Sequence, residues 1–207
     1  MTDTGPDREA AVGLGPYFTI PNLISVIRLL CIPLFLYLLF ALDDRVAAAW
    51  LLAALGATDW IDGWIARRFD QVSEIGKILD PTADRLMFLV AITAMMIDGS
   101  VPVWFGGAVL VRETAFAVAA VILGAMGARR IDVTWWGKTA TFGLMVAFPL
   151  LLVGSADVTG ADLWRALGWI VGIPSLVLSY YTISEYVPLA REALSEGRAA
   201  RQARATG

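Results

Sequence analysis

Residues 59–84 read DWIDGWIARRFDQVSEIGKILDPTAD, a stretch in which acidic residues interrupt two strongly apolar segments. Asp59 and Asp62 are three residues apart, and Asp80 and Asp84 are four apart. At either spacing two side chains share one face of a helix. An ionised side chain at membrane depth costs about 3 kcal/mol, so intramembrane carboxylates indicate function. Four of them at helical spacing indicate a site.

The composition is typical of a membrane protein. Of the 207 residues, 58% are hydrophobic and 17% are charged, whereas soluble domains have about 25% charged residues. A chain of this length has room for one compact domain. The net charge is −3 and there is no long basic run, so we expect no nucleic-acid partner.

The chain offers few residue types for acid–base or metal chemistry. It contains no histidine, which excludes the commonest general base and the usual zinc ligand. The single cysteine, Cys31, lies in an apolar run and is interpreted as a small buried hydrophobic residue. Any such chemistry therefore has to rest on carboxylates.

Six segments supply the roughly 20 mostly apolar residues that a membrane-crossing helix needs. They are Asn22–Leu42, Val46–Arg67, Ile78–Ile97, Val101–Met126, Trp135–Val153 and Leu163–Leu189. The apolar runs are continuous rather than alternating, which disfavours strands. Pro33, Pro149 and Pro174 lie inside segments and predict kinks rather than breaks. The fold class is therefore all-α, an integral membrane bundle of six transmembrane helices, and the short connections predict antiparallel neighbours.

The distribution of lysine and arginine predicts the orientation. With the N-terminus in the cytoplasm, Arg45 and Arg165 are the basic residues left on the opposite side. We therefore expect a multi-pass protein of the cell membrane with both termini and the aspartates on the cytoplasmic side. Residues 1–17 are predicted to be a mobile tail, residues 18–190 the six-helix domain, and residues 191–207 a cytoplasmic C-terminal tail.

The aspartates suit a pair of divalent cations. Four neighbouring carboxylates repel one another and raise one another's pKa values. Hard oxygen ligands favour Mg²⁺ or Mn²⁺, and two such ions about 4 Å apart hold diphosphate oxygens and activate a hydroxyl group. Gly63 leaves room for a ligand to approach, and Arg67 can hold a phosphate. Aspartates in membrane helices also serve ion coupling in transporters. A carboxylate-lined cation transporter is therefore the alternative interpretation at this point.

The pattern DxxDGxxAR(x8)GxxxDxxxD, which spans Asp59–Asp84, resembles the signature of the CDP-alcohol phosphotransferases, also called class I CDP-alcohol phosphatidyltransferases. The resemblance extends from Pro21-Asn22 and Arg28 to Arg112-Glu113 and residues 137–141. It implies six transmembrane helices, a homodimer, and transfer of a phosphatidyl or similar group from a CDP-linked donor to an alcohol, with release of CMP.

The resemblance also implies roles for individual residues. Asp59, Asp62 and Asp80 would bind the two metal ions, with Asp80 bridging them. Asp84 would complete the shell of the second ion and act as general base on the acceptor hydroxyl. The positions that match contacts to the donor, CDP-diacylglycerol, are Gly63, Arg67, Ser73, Pro21, Asn22 and Ser25.

The sequence leaves the acceptor alcohol open. Residues 58–86, with the later Val111-Arg112-Glu113, resemble phosphatidylglycerophosphate synthases, which makes glycerol 3-phosphate the first choice. Residues 133–154, VTWWGKTATFGLMVAFPLLLVG, resemble an actinobacterial branch that includes CMP-forming cardiolipin synthases, whose acceptor is phosphatidylglycerol. Inositol phosphate is a third possibility.

A phosphorylated acceptor needs cations besides Arg67, and the candidates are Arg112, Lys138 and Arg129. Each has an alternative interpretation. Arg112 can form an internal ion pair with Glu113, and Lys138 can extend to the membrane surface from the start of its helix. Arg129, with its neighbour Arg130, can serve as a topology signal.

Overall fold

Six α-helices make up nearly all of the residues that the computed structural model describes, which are 20–69, 76–125 and 134–205. Side chains are described for residues 26–58, 83, 85–119, 121–123 and 134–183. The helices are α1 (Ile20–Leu36), α2 (Arg45–Phe69), α3 (Gly76–Asp98), α4 (Val103–Ala125), α5 (Trp135–Gly154) and α6 (Ala161–Ala205). The described ranges contain no strand. The predicted all-α fold with six helices is confirmed.

Three stretches within the described helices are long and apolar enough to cross a membrane: Val103–Leu123, Trp135–Gly154 and Ala161–Ile183. Shorter apolar stretches, Val26–Ala41 and Arg45–Thr58, lie in the first two helices. Membrane crossing by α1, α2 and α3, and the sidedness of the protein, stay predictions.

The last helix extends beyond the predicted membrane-spanning segment Leu163–Leu189. It continues through residue 190, the predicted end of the membrane domain, and ends at Ala205. Its 45 residues correspond to about 68 Å at 1.5 Å per residue, more than twice the roughly 30 Å hydrocarbon core. The predicted C-terminal tail therefore forms the end of α6, whereas the predicted N-terminal tail, residues 1–17, lies outside the described residues.

Prolines change the helices without breaking them. Pro33 lies inside α1, and because it lacks an N–H group it removes one helical hydrogen bond. The helix then continues as one π-helical turn, Tyr37–Ala41. Pro149 and Pro174 lie inside α5 and α6, both of which continue past them. The helices therefore continue past these prolines without a break, as predicted.

One end of the bundle is held by a network around Arg45, at the start of α2. Its Nε and Nη2 atoms donate to the two carboxylate oxygens of Asp98, at the end of α3, at 3.0 and 3.2 Å. Its Nη1 atom donates to the carbonyl oxygen of Ser155, just after α5, at 3.3 Å. Arg165, near the start of α6, donates to the carbonyl oxygen of Gly154 at 2.9 Å. We call this set of contacts the Arg45 network.

The Arg45 network establishes the directions of the helices. It brings the starts of α2 and α6 together with the ends of α3 and α5. The end of α2 and the starts of α3 and α5 therefore lie together at the opposite end of the bundle. This arrangement makes α2 antiparallel to α3 and α5 antiparallel to α6, as predicted, and puts the helix segments that carry the aspartates at the same end of the bundle.

Glycines allow α5 and α6 to pack closely. Gly168 of α6 faces Leu151 of α5, and Gly172 faces Phe105 and Ala147. Small residues at such contacts let helix backbones approach, which increases van der Waals packing where no water is present to drive association. The pair α5–α6 therefore forms a firm frame for the rest of the bundle.

We predict that Gly168→Ala lowers the thermal unfolding temperature of the detergent-solubilised protein. A Cβ atom at residue 168 would lie 2.8 Å from the Leu151 side chain and 3.0 Å from the Leu151 backbone nitrogen. The two helices would have to separate, at a cost of about 1–3 kcal/mol.

Gly107→Ala is the matched control, because a Cβ atom there meets nothing within 4 Å. Alanine is better than glycine inside a helix by about 1 kcal/mol, so this variant should unfold at the wild-type temperature or higher. Equal unfolding temperatures for the two variants would contradict the close approach of α5 and α6.

Candidate active site

The two aspartate pairs lie on α2 and α3. Asp59 and Asp62 are in the second half of α2, and Asp80 and Asp84 are in the first half of α3. Because both segments are helical, each pair shares one helical face, as the spacing predicted. The side chains of these four residues lie outside the described part of the structure, as do those of the predicted donor contacts Pro21, Asn22, Ser25 and Arg67. Ser73 and Arg129 lie outside the described residues entirely.

A cavity of about 50 Å³ lies between α1, α2, α3 and α5, with room for a few water molecules. Of the eight described residues that line it, seven are apolar or glycine. They are Leu52, Leu55 and Gly56 from α2, Met87 and Phe88 from α3, and Met145 and Phe148 from α5. The eighth is Arg28 from α1. We call this space the inner cavity.

Helical register connects the inner cavity to the aspartates. Gly56 precedes Asp59 by three residues, and Met87 follows Asp84 by three residues. Residues three apart in a helix lie on the same face. The faces of α2 and α3 that line the inner cavity are therefore, by register, the faces that carry the aspartates.

Arg28 is the ionisable residue among the described residues that line the inner cavity. It is 5% exposed and lies on α1, which packs against α3. An arginine stays protonated in proteins, so this wall carries a buried positive charge. The sequence interpretation named Arg28 only as part of the family resemblance. The signal that could have identified it is an arginine inside an apolar run, which is itself a mark of function.

A second buried arginine, Arg112 on α4, has an ion pair, a hydrogen bond and an aromatic contact with neighbouring residues. It is 6% exposed and forms an ion pair with Glu113. Its Nη2 atom donates to the Thr141 hydroxyl oxygen on α5 at 3.3 Å, and its guanidinium lies 4.7 Å from the centre of the Phe116 ring. The internal ion pair that the sequence left open is therefore present. Its Nε atom has no hydrogen-bond partner among the described residues.

Lys138, the second candidate for acceptor binding, lies one helical turn before Thr141, the residue that Arg112 contacts. It is exposed in the first turn of α5, a helix whose start is capped by the Thr134 hydroxyl oxygen accepting from the Gly137 N–H at 3.2 Å. Lys138 and Thr141 are three residues apart, so they share a face, and Met145 of the inner cavity lies one turn further along it. One face of α5 therefore runs from Lys138 through the Arg112 contact to the inner cavity.

The donor set decides which metal the site could hold. Among residues with described side chains there is no cluster of three or more acidic, cysteine or histidine residues. The four aspartates lie outside that set, so their grouping rests on helical register. A set made only of carboxylates fits Mg²⁺ or Mn²⁺ and excludes the thiolate and imidazole sites typical of zinc.

Comparison with known proteins identifies a family. A family model described as CDP-alcohol phosphatidyltransferase matches residues 18–181. A Mycobacterium tuberculosis protein, named provisionally as a cardiolipin synthase, is 38% identical over 151 residues, which cover 73% of this chain and 72% of the relative.

Two further relatives carry different names. A cardiolipin synthase (CMP-forming) of Streptomyces coelicolor is 37% identical over 167 residues, covering 78% of each chain. A CDP-diacylglycerol–glycerol-3-phosphate 3-phosphatidyltransferase of Pseudomonas fluorescens is 33% identical over 175 residues, covering 81% of this chain and 88% of the relative.

Proposed function

The chain belongs to the CDP-alcohol phosphatidyltransferase family, and on that basis we propose that its acceptor is phosphatidylglycerol. The reaction would transfer a phosphatidyl group from CDP-diacylglycerol and release CMP, which makes the product cardiolipin. The choice rests on how similar this chain is in sequence to the two kinds of relative. Relatives named as cardiolipin synthases are 37–38% identical to this chain, whereas those named as glycerol-3-phosphate transferases are 31–33% identical.

The charges around Arg112 support the same acceptor. A phosphate monoester such as glycerol 3-phosphate carries up to two negative charges and needs matching cations in a low-dielectric site. The guanidinium of Arg112 is already paired with the Glu113 carboxylate, so the pair brings no net positive charge. The phosphodiester of phosphatidylglycerol carries one negative charge, and its acyl chains can stay in the bilayer.

Glycerol 3-phosphate is the second candidate. It is favoured by the resemblance of residues 58–86 to phosphatidylglycerophosphate synthases. In addition, the match to a CDP-diacylglycerol–glycerol-3-phosphate 3-phosphatidyltransferase of Shigella flexneri covers 96% of that relative. For either acceptor, Lys138 and the Nε atom of Arg112 would contact the acceptor phosphate near Thr141. Arg129 remains a third proposed contact.

The chain's own residues suggest how the reaction would proceed. Asp59, Asp62, Asp80 and Asp84 would hold two Mg²⁺ or Mn²⁺ ions, with Asp80 bridging. When bound, such ions neutralise the diphosphate of the donor and the departing CMP. Asp84 would accept the proton of the acceptor hydroxyl. The hydroxyl oxygen would attack the phosphorus that bears the diacylglycerol, and the bond from that phosphorus to CMP would break.

The remaining donor contacts would fix the nucleotide. Arg67 would bind a diphosphate oxygen, and Gly63 would let the cytidine diphosphate approach the helix backbone. Ser73, Pro21, Asn22 and Ser25 would complete these contacts. The site would open where α2 ends and α3 and α5 begin, and we propose that this end faces the cytoplasm and that the protein is a homodimer.

The acceptor is tested by supplying purified protein and Mg²⁺ with CDP-diacylglycerol and each alcohol in turn. We expect CMP release and cardiolipin, identified by mass spectrometry, with phosphatidylglycerol. Glycerol 3-phosphate and inositol phosphate should give little product. Efficient formation of phosphatidylglycerophosphate instead would reject our choice. Cation movement across vesicles, with no CMP released from any mixture, would favour the carboxylate-lined cation transporter.

We predict that Asp84→Asn removes turnover while binding of CDP-diacylglycerol changes little. Loss of a general base lowers rates by about 100- to 10,000-fold, whereas the donor contacts lie on other residues. CMP release measures the first effect and calorimetric titration with the donor measures the second. Residual turnover near the wild-type rate would exclude Asp84 as the base.

For Asp80→Ala we expect loss of metal binding itself, because a bridging carboxylate supports both ions. Titration calorimetry with Mn²⁺ measures this loss, and the result does not depend on turnover. Asp157→Ala is the matched control, since Asp157 is an exposed aspartate between α5 and α6 and should leave Mn²⁺ affinity unchanged. An Asp80 variant that binds Mn²⁺ as tightly as this control would refute the bridging role.

A further inference from the structure

We propose that Arg28 is the internal counter-charge of the metal-free site. Its guanidinium would hold the aspartate-bearing faces of α2 and α3 in position until divalent ions bind. The inference rests on the proposed metal site, and it adds a positioning role on a third helix, α1. Arg28 would act through the aspartates rather than by touching the substrate.

The surroundings of Arg28 supply the first argument. Its side chain is 5% exposed and borders the inner cavity, and the other lining residues with described positions are apolar or glycine. A guanidinium stays charged even when buried. Burial of an ion in apolar surroundings is costly unless an opposite charge accompanies it. The position of Arg28 therefore calls for nearby carboxylates.

Two largely buried acids among the described side chains already have partners. Asp98 is bound by Arg45 at the opposite end of the bundle, and Glu113 is bound by Arg112. By register, the carboxylates next to the inner cavity are Asp59 on α2 and Asp84 on α3, each three residues from a lining residue. These two are the partners to which the geometry points.

Charge balance indicates in which state of the site, metal-free or metal-loaded, Arg28 contributes more to stability. Without metal ions, four neighbouring carboxylates repel one another, and a fixed cation between their helices offsets part of that repulsion. Two divalent ions bring four positive charges, after which the contribution of Arg28 to the charge balance is small. Loss of Arg28 should therefore destabilise the metal-free protein more than the metal-loaded protein.

The test compares thermal unfolding of full-length protein in detergent, in EDTA and in saturating Mn²⁺. Arg28→Gln should unfold at a lower temperature than wild type in EDTA. Its Mn²⁺-induced increase should exceed that of wild type by about 3 °C or more, because the ions replace the missing charge. Arg28→Lys keeps the charge, so its Mn²⁺-induced increase should match that of wild type.

Arg45→Gln is the matched control. It also removes a paired arginine, but at the end of the bundle away from the aspartates. Its unfolding temperature should fall equally in EDTA and in Mn²⁺. A Mn²⁺-induced increase in Arg28→Gln that equals the wild-type increase would show a merely structural role and overturn the proposal.

Two further outcomes are decisive. Failure of Arg28→Gln to fold in Mn²⁺ as well as in EDTA would overturn the proposal, because metal ions should compensate for the change. Absence of any Mn²⁺-induced increase in wild type would reject the metal site and, with it, the role of Arg28. CMP release by the wild-type protein, measured separately, then shows whether the proposed reaction itself still holds.

Discussion

The free-energy cost of an ionised side chain in apolar surroundings governs where this chain places its charges. Arg45 and Asp98 neutralise each other at one end of the bundle, and Arg112 and Glu113 do so between α4 and α5. In the proposed site, the four aspartates Asp59, Asp62, Asp80 and Asp84 need positive charge to offset their mutual repulsion. Divalent cations supply it in the proposed reaction, and the nucleotide diphosphate then has ions to bind.

The frame of the bundle is built from contacts at the end away from the aspartates and between α5 and α6. The Arg45 network joins four helices at one end, and close glycine contacts join α5 to α6. The aspartates, the inner cavity and Lys138 lie on helices rather than on loops. Residues on rigid elements are held more accurately than residues on loops, which suits a reaction that depends on the alignment of donor, ions and hydroxyl.

The pairing of Arg112 illustrates how similar sequences can serve different acceptors. A Val-Arg-Glu stretch resembles that of enzymes acting on a phosphorylated alcohol, and the arginine by itself predicts a phosphate contact. In the structure, Arg112 pairs with Glu113 and donates to the Thr141 hydroxyl oxygen. Acceptor choice in such a site depends on the net charge that neighbouring residues leave over, not on the presence of one arginine.

Much of this protein could be read from its sequence. Continuous apolar runs predicted six helices within a few residues of most of their ends, and the spacing of Asp59–Asp84 predicted the shared faces and the family. The burial of Arg28, the contact of Arg112 with Thr141 and the Arg45 network emerged only from the tertiary structure. The physical reason is that α4 and α5 are apolar on all sides, so periodicity does not reveal which face meets which neighbour. Contacts between helices depend on rotation about each helix axis, and packing of the whole bundle sets that rotation.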